Sequence, residues 1–445
     1  MAISEHTLQV IEKIRQTIKD TRFMNKTFIA GGFVRDMILG LDNKDIDICV
    51  EISGGGGILL AEFLAKELNG TNVVIFERFG TAQTVIDGLE LEFVMTRRES
   101  YNNVDDRNPD VVFGTIQEDV FRRDLTINSL LLNISTGEVL DLKNGIIRTT
   151  SDPSIIFDED PLRVLRVIRF SSRFGFTIEE EAFKNIKIFA SKIKTLSSER
   201  VRDELMKMLS GNGFKRGIEL LIELDLIQHI GLPELLFAVG MNQNSFHTKD
   251  VLGHILDVVE NSKPTSLHRL AALLHDIGKV KTKSIDDNNV VHFYDHEYIS
   301  KEITERFMKE LKFSNEEIEL VSSAVVNHMR VTSDITPKKI RKIRSELGDE
   351  KFEFLMDLCE ADRLSHAENN IDHITKAREI KEKEVNITSS NLLVNGKEIM
   401  EIFDLKPSKK VGELLNMVSD MMFENPNITK EEIIILLKNN NNENN

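Results

Sequence analysis

The 445-residue chain has no tryptophan, three tyrosines, eight prolines and two cysteines. It also lacks any apolar run near the ~18 residues a membrane helix needs, which excludes a membrane-spanning protein. Cys49 and Cys359 lie far apart, without metal-binding or redox spacing. That argues against a disulfide framework and for a reducing, cytoplasmic setting. Hydrophobic residues at 41% and charged residues at 29% exclude a disordered or collagenous chain. The opening MAISEHTLQV does not read as a signal peptide. A basic excess is missing too: 57 Lys and Arg against 73 Asp and Glu give a net charge of −16. Taken alone, this opposes nucleic-acid binding, because phosphates are contacted largely by Lys and Arg. The charge is uneven, however. Residues 161–220 hold 13 basic and 7 acidic residues, a local +6. Such a segment is either a polyanion site or a solvated helical surface.

The pattern predicts an α+β protein. Residues 1–24 read as a helix through Leu8, Ile11, Ile14 and Ile18. TFIAGGFVRDMILG (27–40) runs from a strand through Gly31-Gly32 into a helix, and KDIDICVEI (44–52) alternates as a half-buried strand. TNVVIFER, TAQTVID and LELEFVMT follow as strands, then a polar loop from Arg97 to Phe113, then a short helix or turn feeding a strand in DLTINSLLLNI. Beyond Asp152 strand signals stop and helical periodicity dominates. The expected divisions are 1–150, 151–240, 241–385 and 386–438, with a disordered asparagine tail at 439–445.

Asp45 and Asp47 are two apart on an apparent strand, so both carboxylates share one face. Two such groups repel each other unless a cation lies between them. Mg²⁺, held by one or two carboxylates plus substrate phosphates, fits that need. Gly31-Gly32 opens a helix whose amides favour anions, and Arg35 lies one turn further on. Glu92 offers a third carboxylate for a two-metal site. A lone DxD or a lone GG is usually only surface; their order and proximity make the pair informative.

GGFVRDMILG, DID, VMTRRESY, RRDLTIN (122–128) and DLKNGIIR (141–148) together resemble the class II tRNA nucleotidyltransferase/poly(A) polymerase family. The resemblance spans residues 25–230 and implies a polymerase-β-like head followed by a helical neck. It carries the metal role onto Asp45 and Asp47 and the third-carboxylate role onto Glu92, where the family usually has Asp. RRDLTIN departs at Leu125 from the commoner RRDFTIN. Arg123, Asp124 and Asn128 would line the sugar and phosphates. In DEDPLRVLRVIRF, Asp160 and Arg163 are expected on one helix face, with Arg166 and Arg169 continuing the basic side. By resemblance this element selects the incoming base in place of a template; by itself it would read as a surface salt bridge. SSERVRDELMKML resembles the following neck motif, with Glu199 and Arg200 bracing the base-reading helix.

A second constellation lies downstream. His254, His275, Asp276, His296, His328 and Asp362 are expected at the centres of separate helices, with His292 nearby. A lone histidine on an apolar helix is usually a satisfied core residue, but buried ionisable groups in such number need partners or metals. The set resembles HD-domain phosphohydrolases, with His254, His275, Asp276 and Asp362 binding a divalent transition metal such as Ni²⁺ or Mn²⁺. His296 and His328 would serve a second position. The segment 389–415 resembles the C-terminal part of HD-bearing family members, and its lysines are candidates for contact with tRNA.

These features imply template-independent addition of the 3′-CCA of tRNA from CTP and ATP. The rivals are poly(A) synthesis or partial (CC- or A-) addition, a phosphohydrolase with a regulatory nucleotide-binding head, and a silent RNA-binding protein. The full-length loop 100–113 and the absence of an arginine-rich neck signature favour CCA addition over poly(A) synthesis.

Overall fold

A computed structural model describes residues 4–76, 80–100, 110–137, 139–140, 145–243, 249–331, 335–366, 369–385, 392–425 and 428–442. The chain forms two compact units, one of residues 1–208 and 212–229, the other of 209–211 and 230–445.

The first unit carries β1 Thr27–Ala30, β2 Ile46–Val50, β3 Val74–Phe76, β4 Thr81–Ile86, β5 Leu89–Met95, β6 Arg97–Ser100, β7 Asp110–Phe113, β8 Leu131–Asn133 and β9 Val139–Leu140. Seven of these form one sheet in the order β3-β4-β5-β2-β1-β8-β9. β2 and β5 are parallel, and the other pairs are antiparallel. Alternation then decides which side chains meet. Ile46, Ile48, Leu91 and Phe93 are buried in a core with Val10, Ile14 and Ile18 of the helix Glu5–Ile18 and Leu60 and Leu64 of the helix Gly56–Glu67. The other face carries Asp47, Glu92 and Gln83 beside a smaller apolar cluster of Phe28, Ala30, Cys49 and Leu131.

Several expectations change. The first helix ends at Ile18, and Ser4 caps it by accepting from the Thr7 N–H at 3.1 Å. Val10, not Leu8, faces the core, and Leu8 stays exposed. The stretch 97–113 is not all loop, since β6 and β7 pair as antiparallel strands; residues 101–109 lie outside the described residues. Strands also occur beyond Asp152. β10 Ile146–Ile147 pairs with β11 Thr177–Ile178, and β12 Lys283–Ile285 with β13 Val291–Phe293. Two or three residues are too few to show a period of two in the sequence.

The second unit is otherwise helical among its described residues. Its C-terminal helices Gly396–Phe403, Lys409–Glu424 and Lys430–Asn442 enclose a small core of Ile399, Leu414, Val418 and Ile433. The last helix runs through Asn442, into the stretch expected to be disordered. No described helix is long and apolar enough to cross a membrane.

Candidate active site and metal cluster

Strand pairing builds the first site. In register across the sheet, Ala30 lies opposite Asp47, Asp47 opposite Glu92, and Glu92 opposite Gln83. The DxD strand and the LELEFVMT strand thus bring two carboxylates side by side. Gln83 Nε2 donates to Glu92 Oε2 at 3.3 Å. Asp47 opens to a cavity of about 930 Å³, yet enough protein surrounds it to raise its carboxyl to about 6. Burial is the largest cause; Glu92 and Asp45 add to it, and Arg123 opposes it. Asp45 stands one residue before β2, exposed and off the cavity wall, with its N–H on Asn43 Oδ1 at 2.9 Å.

Ala30 leads into Gly31, whose φ of +72° turns the chain into the helix Gly32–Ile38. Gly31, Gly32, Arg35, Arg123, Asp124, Asn128, Asp160, Arg163 and Arg166 all line the same cavity as Asp47 and Glu92. Several are already engaged. Arg35 is buried, donating to Asp36 at 2.7 and 2.8 Å and to Asn128 Oδ1 at 2.8 Å. Asn128 donates to Asp124 Oδ1 at 3.3 Å, and Asp124 also accepts from Arg166 Nε. This chain of bonds fixes the wall beside the glycine turn, and it makes Arg35 a brace for Asn128.

Arg122 and Arg123 both donate to the buried Asp119, at 2.7 and 2.8 Å. Arg123 also donates to Cys49 Sγ at 3.2 Å. Burial pushes the Cys49 thiol up to about 11. Asp119 was missed in the sequence, although it stands one helical turn ahead of both arginines, the spacing at which side chains meet.

Asp160 and Arg163 differ from expectation. Asp160 precedes the helix Leu162–Phe174; its Oδ1 accepts from the Leu162 N–H at 3.1 Å and its Oδ2 from Arg200 Nη2 at 2.7 Å. Arg163 donates instead to Glu159 at 2.7 Å and to the Arg122 carbonyl at 3.3 Å. The two are therefore not a salt-bridged pair on one helix face, and both border the cavity. Arg169 turns away from it to Glu204, at 2.6 Å, so it takes no place on the wall.

The second unit gathers the histidines. His254 lies within the helix Val251–Asn261, but the others sit at helix ends, not centres. His275-Asp276 follows the helix Ser266–Leu274, His296 starts the helix His296–Glu310, and His328 begins a short 3-10 turn. Asp362 lies in the last turn of the helix Asp349–Leu364. His254 Nε2 is 3.3 Å from Asp276 Oδ2 and 3.2 Å from Asp362 Oδ1. His275 Nε2 lies 3.3 Å from the same Asp276 oxygen. His296 and His328 face the other oxygen, Oδ1, at 3.1 and 3.7 Å. His366, missed in the sequence, lies four residues after Asp362 and 3.3 Å from its Oδ1. His292 is elsewhere, paired with Asp286 on the β12–β13 hairpin.

The donor chemistry suits a cation. The Nδ1 atoms of His275, His296 and His328 lie 2.7, 2.8 and 2.6 Å from the carbonyls of Ala272, Phe293 and Val325. Donation there turns each Nε2 lone pair towards the carboxylates, the orientation of a metal-binding imidazole. The buried Nε2 atoms of His275 and His296 have no hydrogen-bond partner. Burial alone would lower His254, but its bonds to Asp276 and Asp362 carry it up to about 9. Burial and the neighbouring His275 push His328 down to about 4.

Gly278 lets this cluster close. A Cβ there would lie 2.2 Å from the His296 carbonyl oxygen and 2.6 Å from the Ser300 N. We expect Gly278→Ala to cost about 1–3 kcal/mol or more, since backbone must move. It should also reduce bound metal, read by thermal unfolding and by elemental analysis of the purified variant.

Fold and site together define a nucleotidyltransferase. Profiles of the poly A polymerase head domain, of a probable RNA and SrmB-binding site of polymerase A, and of a putative tRNA nucleotidyltransferase domain 2 match residues 27–151, 175–238 and 289–436. The mitochondrial CCA tRNA nucleotidyltransferase of Saccharomyces cerevisiae is 28% identical, over 91% of this chain and 86% of that one. The A-adding tRNA nucleotidyltransferase of Deinococcus radiodurans is 27% identical over 88% and 90%. The CCA-adding enzyme of Bacillus stearothermophilus, solved with CTP, has the same fold, with a TM-score of 0.66 at 21% identity over 99% of both chains. Along most of its length the chain is thus similar to tRNA nucleotidyltransferases.

Proposed function

We propose that the protein adds the 3′-terminal CCA to tRNA from CTP and ATP without a template, releasing pyrophosphate. The observation that carries this reading is the cross-strand pair Asp47–Glu92 beside the Gly31 turn, in a cavity that also reaches Asp160 and Arg163. Asp45, Asp47 and Glu92 would hold Mg²⁺, which when bound neutralises phosphate charge and acidifies the attacking RNA 3′-hydroxyl. The Gly32 amide and Arg123, clamped by Asp119, face the triphosphate; the Gly31 N–H is spent on the Leu130 carbonyl at 2.8 Å. Asn128 and Asp124 take its sugar. Asp160 and Arg163, braced by Arg200, Glu159 and the Arg122 carbonyl, meet the base edge with one acceptor and one fork of donors. The cation cluster around Arg122, Arg123, Arg163 and Arg166 explains how so acidic a chain handles a polyanion.

The test is incorporation on a tRNA transcript lacking its last three nucleotides. Extension by two residues with CTP alone, and by a third only with CTP and ATP together, is the expected result. A ladder with ATP alone would move the assignment to poly(A) synthesis. Addition only to transcripts already ending in CC would place the protein with A-adding enzymes, a reading the Deinococcus relative favours.

We further propose that the histidine cluster would hold divalent transition metal through His254, His275, Asp276 and Asp362, with His296 and His328 serving a second position. Its imidazole and carboxylate donors suit Ni²⁺ or Mn²⁺. Hydrolysis of phosphoesters there is a separate proposal, supported by the ligand chemistry and tested with a model phosphodiester. Two buried free thiols suit the reducing cytoplasm we assign.

A further inference from the structure

The register of the sheet carries the catalytic face beyond its carboxylates. Glu92 lies opposite Gln83, and Gln83 opposite Val74. The next row on the same face runs Phe28, Cys49, Val94, Thr81 and Phe76. Val74 and Phe76 on the edge strand β3 therefore point to the same side as Asp47 and Glu92. They are 54% and 44% exposed, and Ile75 between them, on the opposite face, is exposed as well, so what distinguishes Phe76 is its place on the cavity wall. Phe76 also lines the cavity that holds both carboxylates. β3 lies two strands beyond β5, about 10 Å.

The chemistry fixes which end of the reaction meets this edge. Phosphoryl transfer needs the attacking and leaving oxygens in line, on opposite sides of the α-phosphorus. The glycine turn and Arg123 take the leaving pyrophosphate and lie on the β1 side of Asp47. The attacking 3′-hydroxyl must then come from the other side, past Glu92 and over β4. The nucleoside bearing that hydroxyl would then have its base over β3.

We propose that Phe76, supported by Val74, is the stacking platform for the 3′-terminal base of the RNA being extended. The inference rests on the head extending RNA and adds a subsite for the acceptor. Stacking on an aromatic ring tolerates any base, because every base has a π-face. Such a platform suits an enzyme whose acceptor terminus changes after each addition. It leaves base choice to Asp160 and Arg163, on the nucleotide side.

Two measurements test this. In steady-state addition of CTP, Phe76→Ala should raise KM for the tRNA transcript by roughly 5- to 150-fold. KM for CTP should stay at the wild-type value, and Phe76→Trp should restore RNA binding. Separately, a transcript ending in 4-thiouridine, irradiated with the full-length protein, should crosslink to the peptide containing Val74–Phe76. This second readout needs binding only, so it stands even if no nucleotide is added, a failure that would count against the proposed function alone. A crosslink mapped elsewhere overturns the proposal. So does an F76A variant with unchanged KM for RNA, or with KM for RNA and CTP raised together and not rescued by tryptophan.

Discussion

Asp47→Asn should abolish nucleotide addition, lowering kcat by about 10³-fold or more, because the carboxylate is the centre of the proposed metal site and metal assistance contributes several kcal/mol. The variant should nevertheless be well folded. In the native protein the Asp47 carboxyl titrates near 6, well above its ordinary 3.8, through burial and the facing Glu92. A carboxylate with a raised pKa opposes folding once it is ionised. That cost is absent below the ordinary value, develops between 3.8 and about 6, and is complete above 6. The asparagine variant, in chelator, should therefore melt higher than the wild type at pH 7.5 and equally at pH 3.5. Mg²⁺ should raise the melting temperature of the wild type and leave the variant unmoved. The wild-type requirement for Mg²⁺ should rise as pH falls through 6, where protons compete for Asp47. A variant that keeps full addition would remove Asp47 from the catalytic centre.

The head was legible because its chemistry sits on periodic elements. DID and LELEFVMT each alternate, so Asp47 and Glu92 had to face the same way as soon as the strands paired in parallel. Gly31-Gly32 marked the turn between β1 and its helix. What sequence could not supply was the partner of each charge. Nothing in DEDPLRVLR says that Asp160 leaves the helix to meet Arg200, forty residues later. Nor does RVIRF say that Arg169 turns to Glu204 while Arg166 turns to Asp124. Those choices depend on how the helices Leu162–Phe174 and Ser198–Leu209 pack, and the spacing of one helix does not contain them. In the second unit, HRLAALLHDIGKVKT read as one helix ending at Gly278, with His275 and Asp276 inside it. The chain instead leaves the helix at Leu274, so that His275 and Asp276 sit in a turn. Metal-binding groups gain from this, since helix ends let side chains from several segments converge without stacking their backbones.

Asp276→Asn tests that cluster, and the expected effect is large. Among the described residues, Asp276 is the one that touches both halves, with Oδ2 facing His254 and His275 and Oδ1 facing His296 and His328. An amide is a far weaker metal ligand than a carboxylate, so metal recovered with the protein purified without chelator should fall by at least tenfold, a loss comparable to that from removing a metal's supporting partner. Nucleotide addition by the head should be unchanged. The fold should also weaken by about 3–5 kcal/mol in chelator, because Lys279, 2.6 Å from Asp276, and the raised His254 would lose their buried counter-charge. The opposing possibility is a cluster that never holds an ion and is satisfied by protonated His254 alone. It predicts no stoichiometric transition metal in the wild type and no drop in melting temperature on adding chelator. The geometry argues against it. Protonated His254 and the Lys279 ammonium together balance the charges of Asp276 and Asp362, but they leave the buried Nε2 atoms of His275 and His296 without a partner. Two imidazole lone pairs aimed at carboxylate oxygens are repulsive unless a proton or a cation lies between them. Asp276 holds His296 above its ordinary value against the effect of burial, so metal analysis of the wild type and its response to chelator decide between the two.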